Sequence, residues 1–261
     1  MSAFRDRYGP WALVAGASAG LGEAFARRLA AEGLNLLLVA RREDALSRLA
    51  TALRAAHGVE AVAAPMDLAR PDLGDAVAAL AADREIGLLV YNAAHSAIGP
   101  FVDRPLDEHV RVLDVNCRGP LLLAHRLGGA MARRGRGGIL LMASLAGGQG
   151  NPFLASYAAS KAFDIVLAEG LWAELRGRGV DVLACRAGAT RTPGYAASRP
   201  KRSVPLMEPD DVAAGALAAL GRGPTAVAGG LNKVVAFLFS RLLPRRASIA
   251  IMGRATRRLY E

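Results

Sequence analysis

The sequence predicts a doubly wound α/β fold, in which one parallel sheet of about seven strands carries helices on both faces. Short apolar runs, typical of strands buried on both faces, alternate with amphipathic stretches at helical spacing. This strict alternation indicates parallel strands joined by right-handed helical crossovers. The 261 residues can enclose one large core, and a hydrophobic content of 52% excludes a disordered chain.

The predicted elements follow one another without a linker or an internal repeat. Strands are expected at residues 11–17, 34–40, 59–67, 86–92, 137–144 and 180–186, with a shorter seventh strand after Pro224. Helices are expected at residues 20–33, 43–57, 72–83, 106–134, 154–176 and 210–221. The one long loop, residues 193–209, follows the sixth strand. We therefore expect it over the carboxyl ends of the strands, where such sheets bind ligands.

The net charge of +10 raises the question of an acidic partner, such as nucleic acid or an anionic membrane. Between Val212 and Tyr260 there is no Asp or Glu, so most of the excess charge lies in the last fifth of the chain. No zinc-finger spacing or aromatic RNA-binding motif accompanies it. We therefore expect neither a nucleic-acid partner nor a metal site.

Three features predict a cytoplasmic protein. No apolar run approaches the roughly 18 residues that indicate a membrane span. The first residues lack the layout of a signal peptide. Cys117 and Cys185 are far apart in the chain, and we expect both to be reduced, buried thiols.

A glycine-rich stretch, GASAGLG at residues 16–22, directly follows the first strand and opens the first helix. Gly16, Gly20 and Gly22 would permit a tight turn and let backbone N–H groups approach a pyrophosphate. The spacing G-x-x-x-G-x-G differs from the usual dinucleotide fingerprint, so a packing role stays open as an alternative. The position between a strand and a helix favours dinucleotide binding.

The second strand ends in VARRED, with Arg41 and Arg42 at the position where an acidic residue usually holds an adenosine ribose hydroxyl. A guanidinium group suits a 2′-phosphate by its charge and its fork geometry. The alternative is two solvated arginines at a helix start, but positive charge is unfavourable at that end of a helix dipole. The pair therefore indicates NADP(H) as the cofactor.

Tyr157 and Lys161 lie four residues apart in an Ala-rich helical stretch, so a phenol and an ammonium stand on one helix face. Lysine is scarce, since only Lys161, Lys201 and Lys233 occur among 33 Lys and Arg residues. A general solubilising charge would be Arg in this chain. The pairing therefore suggests a chemical role in which a compact ammonium is required.

In combination these motifs resemble the classical short-chain dehydrogenase/reductase family, whose fold is of the Rossmann type, over roughly residues 10–230. Further positions match in order: Asp67 after the third strand, Asn92 and Ala93 after the fourth, Asn116, Ser144 at the end of the fifth, and Gly188 and Thr192 after the sixth. Three positions depart from the family pattern: Tyr91, Ala94 and Ala187, the last standing where the family has proline.

The resemblance implies a catalytic group and a cofactor site. The implied catalytic residues are Asn116, Ser144, Tyr157 and Lys161. The implied NADP(H)-binding residues are Gly16, Ser18, Ala19, Gly20, Leu21, Gly22, Arg41, Arg42, Asp67, Leu68, Asn92, Ala93, Ala94, Tyr157, Lys161, Gly188 and Thr192.

Hydride transfer between a nicotinamide and a carbonyl carbon needs a proton at the carbonyl oxygen in the same event. Tyr157 would act as this general acid and base, and the Lys161 charge beside it would ease release of the phenol proton. Ser144 would donate a hydrogen bond to the oxygen on which charge develops. By the resemblance, Asn116 would hold a water that links Lys161 to solvent.

The residues expected to line the substrate site are largely apolar and indicate a hydrophobic ketone or secondary alcohol, with an acyl chain, a steroid-like body or an aryl group. They are His95, Ser144, Leu145, Gln149, Phe153, Tyr157, Tyr195 and Met207. The alternative for His95 is an ordinary loop residue without a substrate contact. The protein is expected to form a homo-oligomer, a dimer or a tetramer. Two alternatives to an enzyme stay open, a non-catalytic cofactor-binding regulator and a protein that binds partners through its basic tail.

The chain is expected to divide into a catalytic domain, residues 1–230, and a basic amphipathic extension, residues 231–261. An apolar helical stripe is formed by Leu231, Val234, Val235, Leu238 and Leu242, and Pro244 should end this helix. The stripe suits docking on the same domain or on a partner subunit. Peripheral contact with an anionic membrane and a cover over the substrate entrance are the alternatives.

Overall fold

The structure, a computed structural model, describes residues 2–261. It contains one sheet of seven parallel strands in the order β3-β2-β1-β4-β5-β6-β7. The strands are β1 Trp11–Ala15, β2 Asn35–Ala40, β3 Ala61–Pro65, β4 Ile86–Tyr91, β5 Gly137–Ser144, β6 Val180–Ala187 and β7 Thr225–Val227. Strand order reverses between β1 and β4, which opens a crevice at the carboxyl ends of these strands. The predicted doubly wound, Rossmann-type fold is confirmed.

Eleven α-helices are present within residues 2–261. They are α1 Ala3–Tyr8, α2 Gly20–Ala31, α3 Glu43–His57, α4 Leu73–Ala81, α5 Leu106–Leu113, α6 Gly119–Arg134, α7 Ala155–Leu175, α8 Pro193–Ala197, α9 Pro209–Ala219, α10 Gly230–Phe237 and α11 Arg245–Tyr260. No helix in this part of the chain is both long and apolar enough to cross a membrane.

The strand side chains alternate between two cores, one on each face of the sheet. Leu36 and Leu38 of β2 pack with α2, α3 and α9, whereas Leu37 between them packs on the opposite face with α4, α6 and α7. Because both faces are covered by helices, every position of a central strand is buried. This burial explains why the strands appear in the sequence as continuous apolar runs.

Three segments differ from the prediction. Helix α1 was not predicted. The helix predicted at 106–134 is interrupted by a π-helical turn at Asp114–Arg118, and the Tyr91 hydroxyl donates to the Val115 carbonyl of this turn at 2.6 Å. The loop predicted at 193–209 begins with the short helix α8, because the Thr192 hydroxyl caps it by accepting from the backbone N–H of Tyr195.

The C-terminal segment packs partly on the residues that precede it. The buried Thr256 hydroxyl of α11 donates to Asn151 Oδ1 at 2.8 Å, and the Lys201 backbone N–H donates to the Leu259 carbonyl. Helix α10 continues as a π-helical turn to Leu242, and Pro244 separates it from α11. Most of its apolar stripe is exposed, as shown by Leu231 at 66%. Which surface covers this stripe stays a prediction.

Candidate active site

The glycine loop brings three predicted motifs into contact. Gly16 and Gly20 adopt left-handed φ angles of +85° and +57°. A Cβ added at Gly16 would lie 2.7 Å from the Ala93 backbone nitrogen, and one at Gly20 would lie 2.8 Å from Thr192 Cγ2. The loop therefore lies against the segments that follow β4 and β6, and side chains at these two glycines would force the segments apart.

The start of α2 is suited to an anionic group. Ala19 is the N-cap residue, and its methyl side chain cannot accept hydrogen bonds from the first backbone N–H groups of the helix. Asn92 supports the loop from β4, because its Nδ2 donates to the Gly16 carbonyl at 3.2 Å. Free N–H groups and the helix dipole together favour a phosphate here. The residues present therefore fit the pyrophosphate of a dinucleotide.

Arg42 lies across the glycine loop, although it is 24 residues away in sequence. Its Nη2 donates to the Ser18 carbonyl at 3.0 Å and to Ser18 Oγ at 3.1 Å. Arg41, beside it, is exposed, and its positive charge contributes to lowering the pKa of Asp67 and the pKa of His95. Two arginines thus lie at the carboxyl end of β2, beside the glycine loop that follows β1.

Asp67, predicted to contact the cofactor, has an ion-pair partner that sequence reasoning missed. Arg111 Nη2 lies 2.8 Å from Asp67 Oδ2. Burial opposes ionisation of this carboxyl, but the hydrogen bonds from Arg111 and the Ala69 backbone hold its pKa below the ordinary value. Leu68, the next predicted residue, is buried in the core beneath.

Asn116 connects the segment after β4 to helix α7. Its Oδ1 accepts from the His95 backbone N–H at 2.7 Å, and its Nδ2 donates to the His95 carbonyl and to Ser160 Oγ, both at 2.9 Å. The Ser160 hydroxyl in turn donates to the Tyr157 carbonyl at 2.7 Å. The π-helical turn that carries Asn116 therefore holds two predicted parts of the site together, and such turns are frequent at functional sites.

Tyr157 and Lys161 both project from α7, and Lys161 Nζ lies 6.0 Å from the centre of the Tyr157 ring. Lys161 Nζ also donates to the Met142 carbonyl of β5 at 2.7 Å. Ser144 ends β5, and its Oγ accepts from the Ala146 backbone N–H. The turn after Ser144 packs directly on α7, since a Cβ added at Gly147 would lie 2.6 Å from the Lys161 carbonyl carbon. The predicted hydroxyl, phenol and ammonium thus come from two elements in contact.

Lys161 has a second partner, which the sequence analysis did not identify. Its Nζ lies 2.9 Å from Asp164 Oδ2, and the two side chains are only 4% and 2% exposed. Burial alone would lower the pKa of Lys161, but the charges of Asp164 and Tyr157 outweigh it and raise this pKa. Burial raises the pKa of Asp164, and the Lys161 charge opposes that effect. The one available signal was an acidic residue three positions after Lys161 in an apolar helix.

The residues predicted to line the substrate site have several different surroundings. Gln149 is buried, and Phe153 has a left-handed φ of +69° with the Arg257 guanidinium 5.4 Å from its ring centre. Leu145 lies in the turn after Ser144, and the Tyr195 hydroxyl is buried in α8. Met207 packs instead against the core face formed by α2 and α9. Their role in binding stays a prediction.

Two further predicted residues have defined surroundings. His95 is half buried, and burial together with the charges of Arg111 and Arg41 lowers the pKa of its imidazole, so it is neutral at pH 7. Gly188 lies against Asn232 of α10, because a Cβ added there would be 2.7 Å from Asn232 Nδ2. Helix α10 thus supports the turn after β6, which sequence reasoning did not anticipate.

Helix α11 covers the segment between Ser144 and Tyr157. Arg245 Nη1 donates to the Gly148 carbonyl at 2.7 Å. Near the other end of the helix, the Thr256 hydroxyl donates to Asn151 Oδ1. The helix therefore lies over the stretch that contains Gln149 and Phe153. These contacts agree both with docking of the C-terminal segment on the same chain and with a cover over this region, and the role of the segment stays a prediction.

A glycine loop at the strand-order reversal of a doubly wound sheet, together with a Tyr-x-x-x-Lys helix, defines a dinucleotide-dependent oxidoreductase. The family model for short chain dehydrogenases matches residues 10–203. The chain belongs to the short-chain dehydrogenase family, as the sequence resemblance predicted.

Named relatives agree with this assignment. The chain is 34% identical over 233 residues to the 7beta-hydroxysteroid dehydrogenase of Clostridium sardiniense, a match that covers 88% of this chain and 89% of the relative. A solved structure from work on 7beta-hydroxysteroid dehydrogenase stereoselectivity superimposes with a TM-score of 0.90 at 29% identity, covering 95% of this chain and 98% of the other. A short-chain dehydrogenase from Sphingobium yanoikuyae in complex with NADPH gives a TM-score of 0.78 at 33% identity, covering 84% and 87%.

Proposed function

We propose that this protein transfers a hydride between NADP(H) and a bulky hydrophobic ketone or secondary alcohol, with Tyr157 as general acid and base. The observation that carries the proposal is the arrangement on α7, where Lys161 Nζ lies 6.0 Å from the Tyr157 ring and the turn after Ser144 packs on the same helix. A phenol and an ammonium on one helix, with a hydroxyl at the end of the strand before the turn that packs on that helix, are the groups that carbonyl reduction requires.

The bound cofactor supplies or accepts the hydride. In the reduction direction the Tyr157 hydroxyl gives its proton to the carbonyl oxygen, and the Ser144 hydroxyl donates a hydrogen bond to the same atom. Asn116 holds the segment after β4 against helix α7 through its hydrogen bonds with His95 and Ser160. In the oxidation direction Tyr157 receives the proton, and the Lys161 charge stabilises its phenolate form.

NADP(H) is proposed in preference to NAD(H). Arg42 lies on Ser18 of the glycine loop, and Arg41 stands beside it, so both guanidinium groups flank the place where an adenosine ribose would lie. A bidentate guanidinium contact suits a phosphate and adds nothing specific for a bare hydroxyl. The NADPH complex of the Sphingobium yanoikuyae relative supports the same preference.

The proposed substrate is a bulky hydrophobic ring system, and a long acyl chain is the alternative. The relative named a 7beta-hydroxysteroid dehydrogenase supports a steroid-like body. Leu145 and Phe153, on either side of the turn that α11 covers, would supply apolar contacts, and Gln149 a single polar one. A largely apolar wall with few polar groups is typical of sites for such ligands.

A substrate panel with NADPH tests this function. Ketosteroids, an aryl ketone and a long-chain 3-oxoacyl thioester are offered in turn, and the loss of NADPH absorbance is followed. We expect turnover of at least one ketone by the parent and none by Tyr157→Phe. Absence of turnover with every class, in a parent that binds NADPH, would leave the cofactor-binding regulator as the better description.

We also propose that the protein is a homo-oligomer in which a second subunit covers the exposed stripe of α10. Val234, Phe237 and Leu242 continue the apolar surface that begins at Leu231. Apolar surface of this kind is typical of subunit interfaces. Light scattering of the parent and of a chain ending at Gly230 checks the assembly. Flotation with anionic vesicles at low and high salt distinguishes membrane contact, which the basic flanks of the stripe would also suit.

A further inference from the structure

The turn between β6 and α8, residues 188–192, contains two residues predicted to bind NADP(H). An isolated bridge to Met207 pairs its backbone. The Met207 N–H donates to the Ala189 carbonyl at 3.0 Å, and the Met207 carbonyl accepts from the Arg191 N–H at 2.9 Å. Because both hydrogen bonds go to one residue, the position of this β6–α8 turn depends on what holds Met207.

Asn232 of α10 holds Met207 and also contacts the β6–α8 turn itself. Its Nδ2 donates to Met207 Sδ at 3.1 Å and to the Ala228 carbonyl at 2.9 Å, so both N–H groups of the amide are engaged. A Cβ added at Gly188 would lie 2.7 Å from Nδ2, 2.9 Å from Oδ1 and 3.0 Å from Cγ of Asn232. The side chain thus occupies the space directly in front of the first residue of the turn.

Capping is the ordinary role of an asparagine near the start of a helix. The N-cap position of α10 belongs to Gly229, however, and within residues 2–261 no side chain caps this helix. The Asn232 amide instead donates to Met207 and Ala228, which both precede α10. Helix capping therefore does not explain this residue.

The other end of the turn lies on the glycine loop, since a Cβ added at Gly20 would be 2.8 Å from Thr192 Cγ2. The glycine loop and the β6–α8 turn are therefore in contact. Both follow strands of the sheet at their carboxyl ends, where dinucleotides bind in such folds. A displacement of the turn would change the surface that is offered to NADP(H).

We propose that Asn232 is a positioning residue for the NADP(H) site, which it serves by fixing the β6–α8 turn. This inference rests on the proposed function. It makes α10 a working part of that site, although most of α10 lies in the segment that the sequence predicted as a separate extension. Without the amide, the turn would have to be ordered when NADP(H) binds, and the affinity for the cofactor would fall.

Paired substitutions test the inference through the dissociation constant of NADPH, measured by fluorescence titration without a ketone. Asn232→Ala should bind NADPH about fivefold more weakly than the parent. Gly188→Ala should bind at least about tenfold more weakly, because the backbone at Gly188 is not left-handed and the three atoms nearest to the new methyl group belong to Asn232. In the double variant the amide is absent and the methyl group fits, so the affinity should exceed that of Gly188→Ala alone.

Amide hydrogen exchange in the protein without NADPH is a second readout, which does not depend on the proposed function. The N–H groups of Arg191 and Met207 should exchange about tenfold faster in Asn232→Ala, whereas those of β1 should exchange as in the parent. Val234→Ala, which truncates an exposed side chain of the same helix, should change neither the exchange nor the NADPH affinity. Asn232→Ser, which also lacks the amide, carries the same expectations if Asn232→Ala does not fold.

Three results would overturn the inference. They are an NADPH affinity in Asn232→Ala equal to that of the parent, losses that multiply in the double variant, and exchange at Arg191 and Met207 that is unchanged or is accelerated together with that of β1. If the parent itself does not bind NADPH, the proposed function fails, and the exchange comparison still shows whether Asn232 fixes the turn.

Discussion

Replacing Arg42 with Asp should turn the protein away from NADPH. The Arg42 guanidinium is held over the glycine loop by Ser18, at 3.0 Å from its carbonyl and 3.1 Å from its hydroxyl. A 2′-phosphate would therefore meet a guanidinium that is already ordered, with little further loss of side-chain freedom. The substitution removes that contact and places a negative charge beside the phosphate.

The expected magnitude follows from the exposure of the site. A hydrogen bond to a charged group contributes about 1.5–3 kcal/mol, and the lower value applies to an exposed arginine. Repulsion between the new carboxylate and the phosphate adds about 1 kcal/mol in a solvated setting. The sum, about 2.5 kcal/mol, corresponds to a loss of about 70-fold in kcat/KM for NADPH. The kcat/KM for NADH should fall little or rise, because a carboxylate at position 42 can accept a hydrogen bond from the ribose hydroxyl.

The assay compares kcat/KM for NADPH and NADH with one ketone, in the parent and in the variant. Arg48→Asp is the matched control, because Arg48, on α3, is also an exposed arginine and the change in charge is identical. The control should keep the cofactor preference of the parent. Equal losses for the two cofactors in Arg42→Asp, or a parent that uses both equally, would refute the reasoning.

The remaining predictions concern the phenol, the C-terminal helix and the thiols. Tyr157→Phe should bind NADPH with unchanged affinity in a fluorescence titration, yet lose at least about a thousandfold in turnover, and activity within tenfold of the parent would contradict this. Removal of residues 245–261 should raise the KM for a bulky ketone while the NADPH affinity is kept, because α11 covers the turn after Ser144; an unchanged KM would argue against the cover. Burial raises the pKa of Cys117 to about 11 and that of Cys185 to about 12, so at pH 8 at most about one thiol in a thousand is ionised. Iodoacetamide should therefore label the native protein far more slowly than the denatured chain, and equal rates would show that the thiols are accessible.

The local patterns of the sequence determined the architecture and the principal candidates of the site. Apolar runs predicted the first six strands because the central strands are covered on both faces, and a covered strand has apolar side chains at successive positions. The Tyr157 and Lys161 pair was predictable because a helix places residues four apart on one face. The glycine loop was predictable because its backbone conformation, as at Gly16, excludes other side chains.

Only the tertiary structure decided which side chains are partners. Arg111 reaches Asp67 across 44 residues, and Thr256 reaches Asn151 across 105. Neither contact leaves a periodic signal, because each depends on how separate helices pack over the sheet. Even Asp164, only three residues from Lys161, could be interpreted as a surface acid from the sequence, whereas its side chain is only 2% exposed in the structure. Burial, and with it the electrostatic consequence of a charge, is a property of the packed chain, since a short range of sequence does not specify what lies above it.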